Sequence, residues 1–194
     1  MEKDRLLAFS DGVIAIIITI MVLELHAPHA ATLHALVPLA PIFLSYVLSF
    51  VFIAIYWNNH HHMLATAERV NGAILWANMH LLFWLSLIPF TTAWMGENHG
   101  ARWPTVLYGV SLIAPAIAYV VLQNAIIASH GADHVLKRAI GGDWKGKLSP
   151  LLYLAGIVLA ALWSPIAGQT LFVAVALLWL VPDRRIERAI TAPK

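Results

Sequence analysis

Long apolar runs separated by short polar connections dominate the chain. Leu6–Leu25 carries only Asp11 and Glu24 as charges, and Leu36–Trp57, Val70–Gly96 and Trp103–Ser129 carry none. A helix needs about 20 mostly apolar residues to cross a hydrocarbon core roughly 30 Å thick, at about 1.5 Å per residue. Each of these four runs therefore predicts one crossing. The next uncharged stretch, Leu148–Pro182, would reach roughly 50 Å as one helix, too long for a single crossing. Ser164-Pro165-Ile166-Ala167-Gly168 supplies turn chemistry near its middle, so the stretch reads as a hairpin of two short helices. The expected fold is all-α: one polytopic membrane domain over residues 1–194, with spans at about 6–25, 36–57, 71–95, 103–127, 148–164 and 167–182.

The placement of basic residues supports six spans. Lys3 and Arg5 precede the first, Arg69 lies between the second and third, and Lys137, Arg138, Lys145 and Lys147 lie between the fourth and fifth. Arg184, Arg185, Arg188 and Lys194 follow the sixth, so eleven of the twelve basic residues share one side and Arg102 stands alone on the other. Positively charged loops stay cytoplasmic, which places both termini inside. A five-span chain would put the last four basic residues outside. A cleaved signal peptide is disfavoured, because Glu2 and Asp4 offset Lys3 and Arg5, and Asp11 falls where such a segment is apolar.

Composition narrows the function. Hydrophobic residues make up 60% and charged residues 11% of the chain, against roughly 25% charged in soluble domains. Cysteine is absent, which excludes disulfides, thiolate metal sites and cysteine nucleophiles. No basic run with interleaved aromatics points to nucleic acid. Membrane lipids are the expected surroundings, with the basic segments Lys137–Lys147 and Arg184–Arg188 near anionic headgroups.

The first span carries the most information. An aspartate inside a span is costly, about 3 kcal/mol at mid-helix, so Asp11 calls for partners. Arg5 is the nearest basic residue, but six residues turn a helix through about 600°, leaving the two about 120° apart. Ser10 adds a hydroxyl beside the carboxylate. At about 100° per residue, Arg5, Phe9, Gly12, Ile16, Thr19 and Leu23 fall on one stripe that Asp11 does not share. Periodicity alone leaves that stripe open to lipid, other helices or a pore, since every face of a spanning helix is largely apolar.

Arg5-Leu6-Leu7-Ala8-Phe9-Ser10-Asp11-Gly12, followed by Ala15-Ile16-Ile17-Ile18-Thr19, resembles the hallmark of the transmembrane protein 175 family, the endosomal and lysosomal potassium channels, and of its prokaryotic members. Trp57-x-x-His60-His61, Asn78 and Pro89-Phe90 extend the resemblance, which is strong through about Pro89-Phe90. It implies a potassium-preferring cation channel with six helices per repeat. One Phe-Ser-Asp implies a homotetramer in the bacterial plasma membrane, its first helices surrounding the pore. It further implies that Ile16 is the constriction, Thr19 a hydroxyl layer and Leu23 the next apolar layer. Arg5, Phe9, Ser10, Asp11, His60, His61 and Asn78 are implied to form a structural polar cluster. Ala15 departs from members that carry serine before the constricting isoleucine, which bears on selectivity. No cofactor is implied beyond permeant potassium ions.

Other readings fare worse. His60-His61-His62 cannot share one helical face, and only Glu68 is a nearby carboxylate, so metal binding lacks ligand spacing. His26, His29 and His34 read as a solvated loop, and His80 has no motif. An enzyme would need converging acid, base or metal groups. A secondary transporter would usually show internal repeats with broken helices, and no motif is duplicated, though Pro115 could kink the fourth helix. No Thr-Val-Gly-Tyr-Gly loop is present to build a carbonyl filter. A channel reading therefore expects a pore lined by side chains with an apolar constriction.

Overall fold

A computed structural model of the chain describes residues 2–131, 136–137 and 144–180. All elements among them are helical. They are α1 (Lys3–Leu23), α2 (Ala40–Ala65), α3 (Gly72–Ser86), α4 (Ile88–Glu97), α5 (Arg102–His130), α6 (Trp144–Leu162) and α7 (Pro165–Leu180). A short 3-10 segment, Leu33–Leu39, leads into α2. Five helical stretches are long and apolar enough to cross a membrane, with α3 and α4 together forming one of them. The sixth, α7, is shorter, and its 16 residues span about 24 Å.

Three boundaries depart from the even apolar runs in the sequence. α2 continues past Trp57 to Ala65, because the polar residues there find partners: Tyr119 donates its hydroxyl to the Asn59 carbonyl at 3.2 Å, and His60 is buried against α3. The run over Val70–Gly96 breaks at Leu87. Pro89 has no N–H to give the Leu85 carbonyl and its ring crowds that turn, so the chain restarts as α4 with Pro89 in its first turn. The connection between α6 and α7 is only Trp163 and Ser164. Pro165 opens α7, where its missing N–H is no loss.

Gly168, expected in that turn, instead lies inside α7 and packs against α6. A Cβ on Gly168 would lie 2.6 Å from the Gly156 carbonyl oxygen, and one on Gly156 would meet Phe172 at 2.5 Å. The two helices approach backbone to backbone because neither position has a side chain. Small residues serve this purpose between spanning helices, where packing replaces the hydrophobic drive that lipid removes.

Polar contacts sort the helix ends into two sets. At one end Lys3 donates to the Ala65 carbonyl at 3.1 Å, and the backbone N–H of Glu68 donates to His130 Nε2 at 3.0 Å. Asn71 donates to Ser129 there, and Lys145 to the Leu178 carbonyl. At the other end Gln169 donates to Gly100 and Thr105. The first end collects Lys3, Arg69, Lys145 and Lys147; the second has Arg102.

Two apolar cores fill the bundle. One joins α1, α2, α3 and the second half of α5 through Leu6, Ile14, Ile53, Leu81 and Leu122; the other joins α2, α5, α6 and α7 around Phe172 and Tyr108. Among the described residues α1 packs mainly on α2, α3 and α4. It therefore forms one side of the bundle, with a long face left outward.

Candidate functional site

α1 divides into an inward and an outward face. Leu6, Ser10, Ile14, Ile17 and Met21 are buried, at the spacing of one helical stripe. Arg5, Phe9, Gly12, Ile16, Thr19 and Leu23 are all exposed; Ile16 is 58% and Leu23 71% exposed within the single chain. A Cβ on Gly12 would meet nothing within 4 Å. The stripe drawn from helical angles is thus the face of α1 that its own chain leaves uncovered.

Thr19 is the one polar side chain toward the middle of that face. Its hydroxyl lies 3.0 Å from the Ile16 carbonyl and 3.1 Å from that of Ala15 and donates back into the helix. The proton is thereby turned inward, and the oxygen's lone pairs remain for a donor or a cation outside. Ile16 sits about 4.5 Å along the axis on one side of Thr19, and Leu23 about 6 Å on the other. A groove of about 660 Å³ runs beside the stripe between α1 and α4, walled by Ile17, Ile20, Phe90 and Trp94, with Glu24 and Glu97 also lining it.

The inward side of α1 is held by a polar chain. His60 Nε2 lies 2.7 Å from Asn78 Oδ1, and Asn78 Nδ2 donates to Ser10 Oγ at 2.9 Å. Ser10 in turn donates to the Leu6 carbonyl at 2.8 Å. With the Asn78 amide nitrogen turned to Ser10, its oxygen faces His60, so Nε2 of the imidazole carries the proton. Nδ1 of His60 is buried without a partner among the described residues. Ser10, His60 and Asn78 are fully buried, so this chain fixes α1, α2 and α3 against one another where no water competes.

Asp11 is not part of that chain. It accepts from Trp57 Nε1 at 2.9 Å, and among the described residues neither Asn78 nor a histidine bonds to it. One residue of helix separates Ser10 from Asp11, a rotation of about 100°, which turns the serine to α3 and the carboxylate to α2. Arg5 is exposed, and among the described residues it has no ion pair with Asp11. The His61 ring packs tilted against Trp57 and edge-to-face with His62, so it contacts the Asp11 partner rather than Asp11. Phe9 stays on the outward stripe. His80 is exposed on α3 and accepts from Trp84 Nε1 at 2.8 Å, one turn along its own helix.

Trp57 is the member that the residue pattern leaves unassigned. It stands in the Trp57-x-x-His60-His61 motif, but nothing in helical spacing links an indole to a carboxylate 46 positions away.

Known proteins share this sequence and this shape. Residues 5–89 match the family model described as endosomal/lysosomal potassium channel TMEM175. Over 190 residues the chain is 50% identical to a potassium channel of Chryseobacterium sp. (strain P1-3), covering 98% of each chain. It is 24% identical over 144 residues to the endosomal/lysosomal proton channel TMEM175 of Danio rerio, covering 26% of that longer protein. The crystal structure of a lysosomal potassium-selective channel TMEM175 homolog from Chamaesiphon minutus superposes with a TM-score of 0.78 at 29% identity, covering 94% of this chain and 98% of that one.

Proposed function

The chain belongs to the endosomal/lysosomal potassium channel TMEM175 family, and on that premise we propose that it is a potassium-preferring cation channel whose pore is lined by α1 from four copies. The family and the relatives named above are channels, not enzymes. One observation carries the reading: the exposed stripe of α1 coincides with the positions at which the resemblance sets the constriction and the layers above it.

Ile16 from four copies forms a ring of branched side chains. Such a ring offers an ion no ligand, and a narrow apolar constriction closes a pore by losing its water. The Thr19 oxygens, with their protons turned into the helix, supply four acceptors above the ring. They replace part of the hydration shell of a passing cation, a task that carbonyls perform in channels with a filter loop. Leu23 completes an apolar layer beyond. The groove beside the stripe provides a surface for the neighbouring copy, and the Ser10–Asn78–His60 chain and the Trp57–Asp11 bond hold α1 at a fixed rotation. The basic end of the bundle faces the cytoplasm of a bacterial plasma membrane.

Potassium flux into liposomes tests this. The purified protein should pass potassium down its gradient with no coupled ion, where a transporter would need one. Thr19→Val keeps the side-chain shape while removing the oxygen. It should erode the preference for potassium over sodium more than the total flux; unchanged preference would remove Thr19 from the permeation path.

A further inference from the structure

A second cavity, of about 270 Å³, opens between α2, α5, α6 and the end of α7. No residue of α1 lines it, so it is separate from the stripe proposed as the pore. Its floor is apolar, formed by Phe52, Ile55 and Val120 among others. Lys147 and Asn124 lie toward its mouth, at the basic end of the bundle.

Three polar side chains face this space without partners. Tyr56 and Gln123 are 8% exposed and Tyr153 is 3% exposed, and all three line the cavity. None of their hydroxyl or amide groups has a hydrogen bond among the described residues. Their polar atoms stay accessible from the cavity rather than sealed in the core, so a molecule entering it meets two phenols and an amide with free hydrogen-bonding capacity. Water alone would answer the hydroxyls and the amide, but it gains nothing from the apolar floor. Lys145 is engaged over the Trp179 ring and by the Leu178 carbonyl, whereas Lys147 is exposed and lines the cavity itself.

The polarity is graded along the helices. Lys147 stands six residues before Tyr153 on α6, about 9 Å along the axis. Asn124 and Gln123 follow Val120 toward the same end of α5. A cation comes first, then amide and phenol donors, then aliphatic and aromatic surface. An anionic phospholipid presents the matching order of phosphate, ester carbonyls and acyl chain. The volume equals that of about nine water molecules in the liquid, enough for the carbonyl region and first methylenes of one chain.

We propose that this cavity binds one anionic phospholipid per chain, with its phosphate on Lys147, its ester carbonyls on the Tyr56, Gln123 and Tyr153 donors, and an acyl chain over Phe52 and Val120. The rest of the lipid lies in the surrounding bilayer. α2 joins this site to the pore helix, since Tyr56 lines the cavity and the next residue, Trp57, holds Asp11.

Native mass spectrometry of the full-length protein in detergent, titrated with phosphatidylglycerol, phosphatidylcholine or oleate, tests the site. Phosphatidylglycerol should bind about tenfold more tightly than phosphatidylcholine, the equivalent of one charge-assisted contact. Lys147→Glu should reduce it to the level of phosphatidylcholine, and Ala116→Phe, which fills the cavity, should lower binding of both lipids. Ala174→Phe, on an exposed face of α7, should change neither. Equal affinity for the two phospholipids in the unaltered protein would overturn the proposal, as would a preference that survives Lys147→Glu. Competition by oleate at equal concentration would also overturn it, by assigning the cavity to a free fatty acid. If Ala116→Phe fails to assemble, Lys147→Glu decides, because an exposed lysine can change without disturbing the core.

Discussion

Ile16 and Ile17 are neighbours in sequence, yet the first is largely exposed and the second is buried in the apolar core of the bundle. Helical geometry alone accounts for this difference, because 100° of rotation separates adjacent residues, and the amino-acid order is enough to read it. The same arithmetic sets Asp11 off the stripe but cannot name its partner. Indole donors have no periodic signature, and the Trp57 that reaches Asp11 stands on another helix, 46 positions along the chain. Asn78 is the residue on which the inward side depends. Asn78→Leu leaves the His60 N–H without its acceptor and Ser10 Oγ without its donor, which should cost about 1–3 kcal/mol for each buried group left unpaired. A lower melting temperature in detergent, with less assembled protein recovered, is the expected result. An unchanged melting temperature would show that the chain of hydrogen bonds contributes nothing net.

At the scale of elements, hydropathy locates the helices well and their interruptions poorly. Charge-free stretches look alike whether or not they bend, so Val70–Gly96 reads as one span although Pro89 marks the site of the break. Gly168 carries a double meaning in the same way: within Ser164–Gly168 it reads as turn chemistry, whereas the fold uses it for close packing inside α7. That use predicts a strong size effect. Gly168→Val would drive methyl groups into the Gly156 carbonyl and the Ala160 methyl, and overpacking of this kind costs typically about 1–3 kcal/mol. Thermal stability should fall accordingly, while Gly72→Ala, where an added Cβ meets nothing within 4 Å, should leave it nearly unchanged. Equal effects at the two glycines would contradict backbone contact between α6 and α7.

At the scale of the whole molecule, a single chain is an incomplete object. One side of α1 faces away from its own bundle, and its apolar residues meet either lipid or further copies. Helical arithmetic cannot choose between these, because lipid and a dry pore wall select the same side chains; the family resemblance supplies the choice. Orientation follows from charge rather than from packing. The proposed orientation, both termini cytoplasmic, predicts that a cysteine introduced near Lys194 reacts with a membrane-impermeant maleimide only after permeabilisation, and the absence of native cysteine keeps the background low. Labelling from outside would overturn the six-span topology. The account as a whole depends on the outward stripe of α1 being the pore wall. Potassium leak into liposomes from Ile16→Asn, Ile17→Asn and Ile18→Asn, compared at equal tetramer content, tests that most directly. Ile16→Asn should wet the constriction and raise the leak well above the unaltered protein, whereas Ile17→Asn should lower stability without opening a path, and Ile18→Asn should stay near the unaltered level. Equal leak from all three variants, or no increase from Ile16→Asn, would contradict the assignment of this face to the pore.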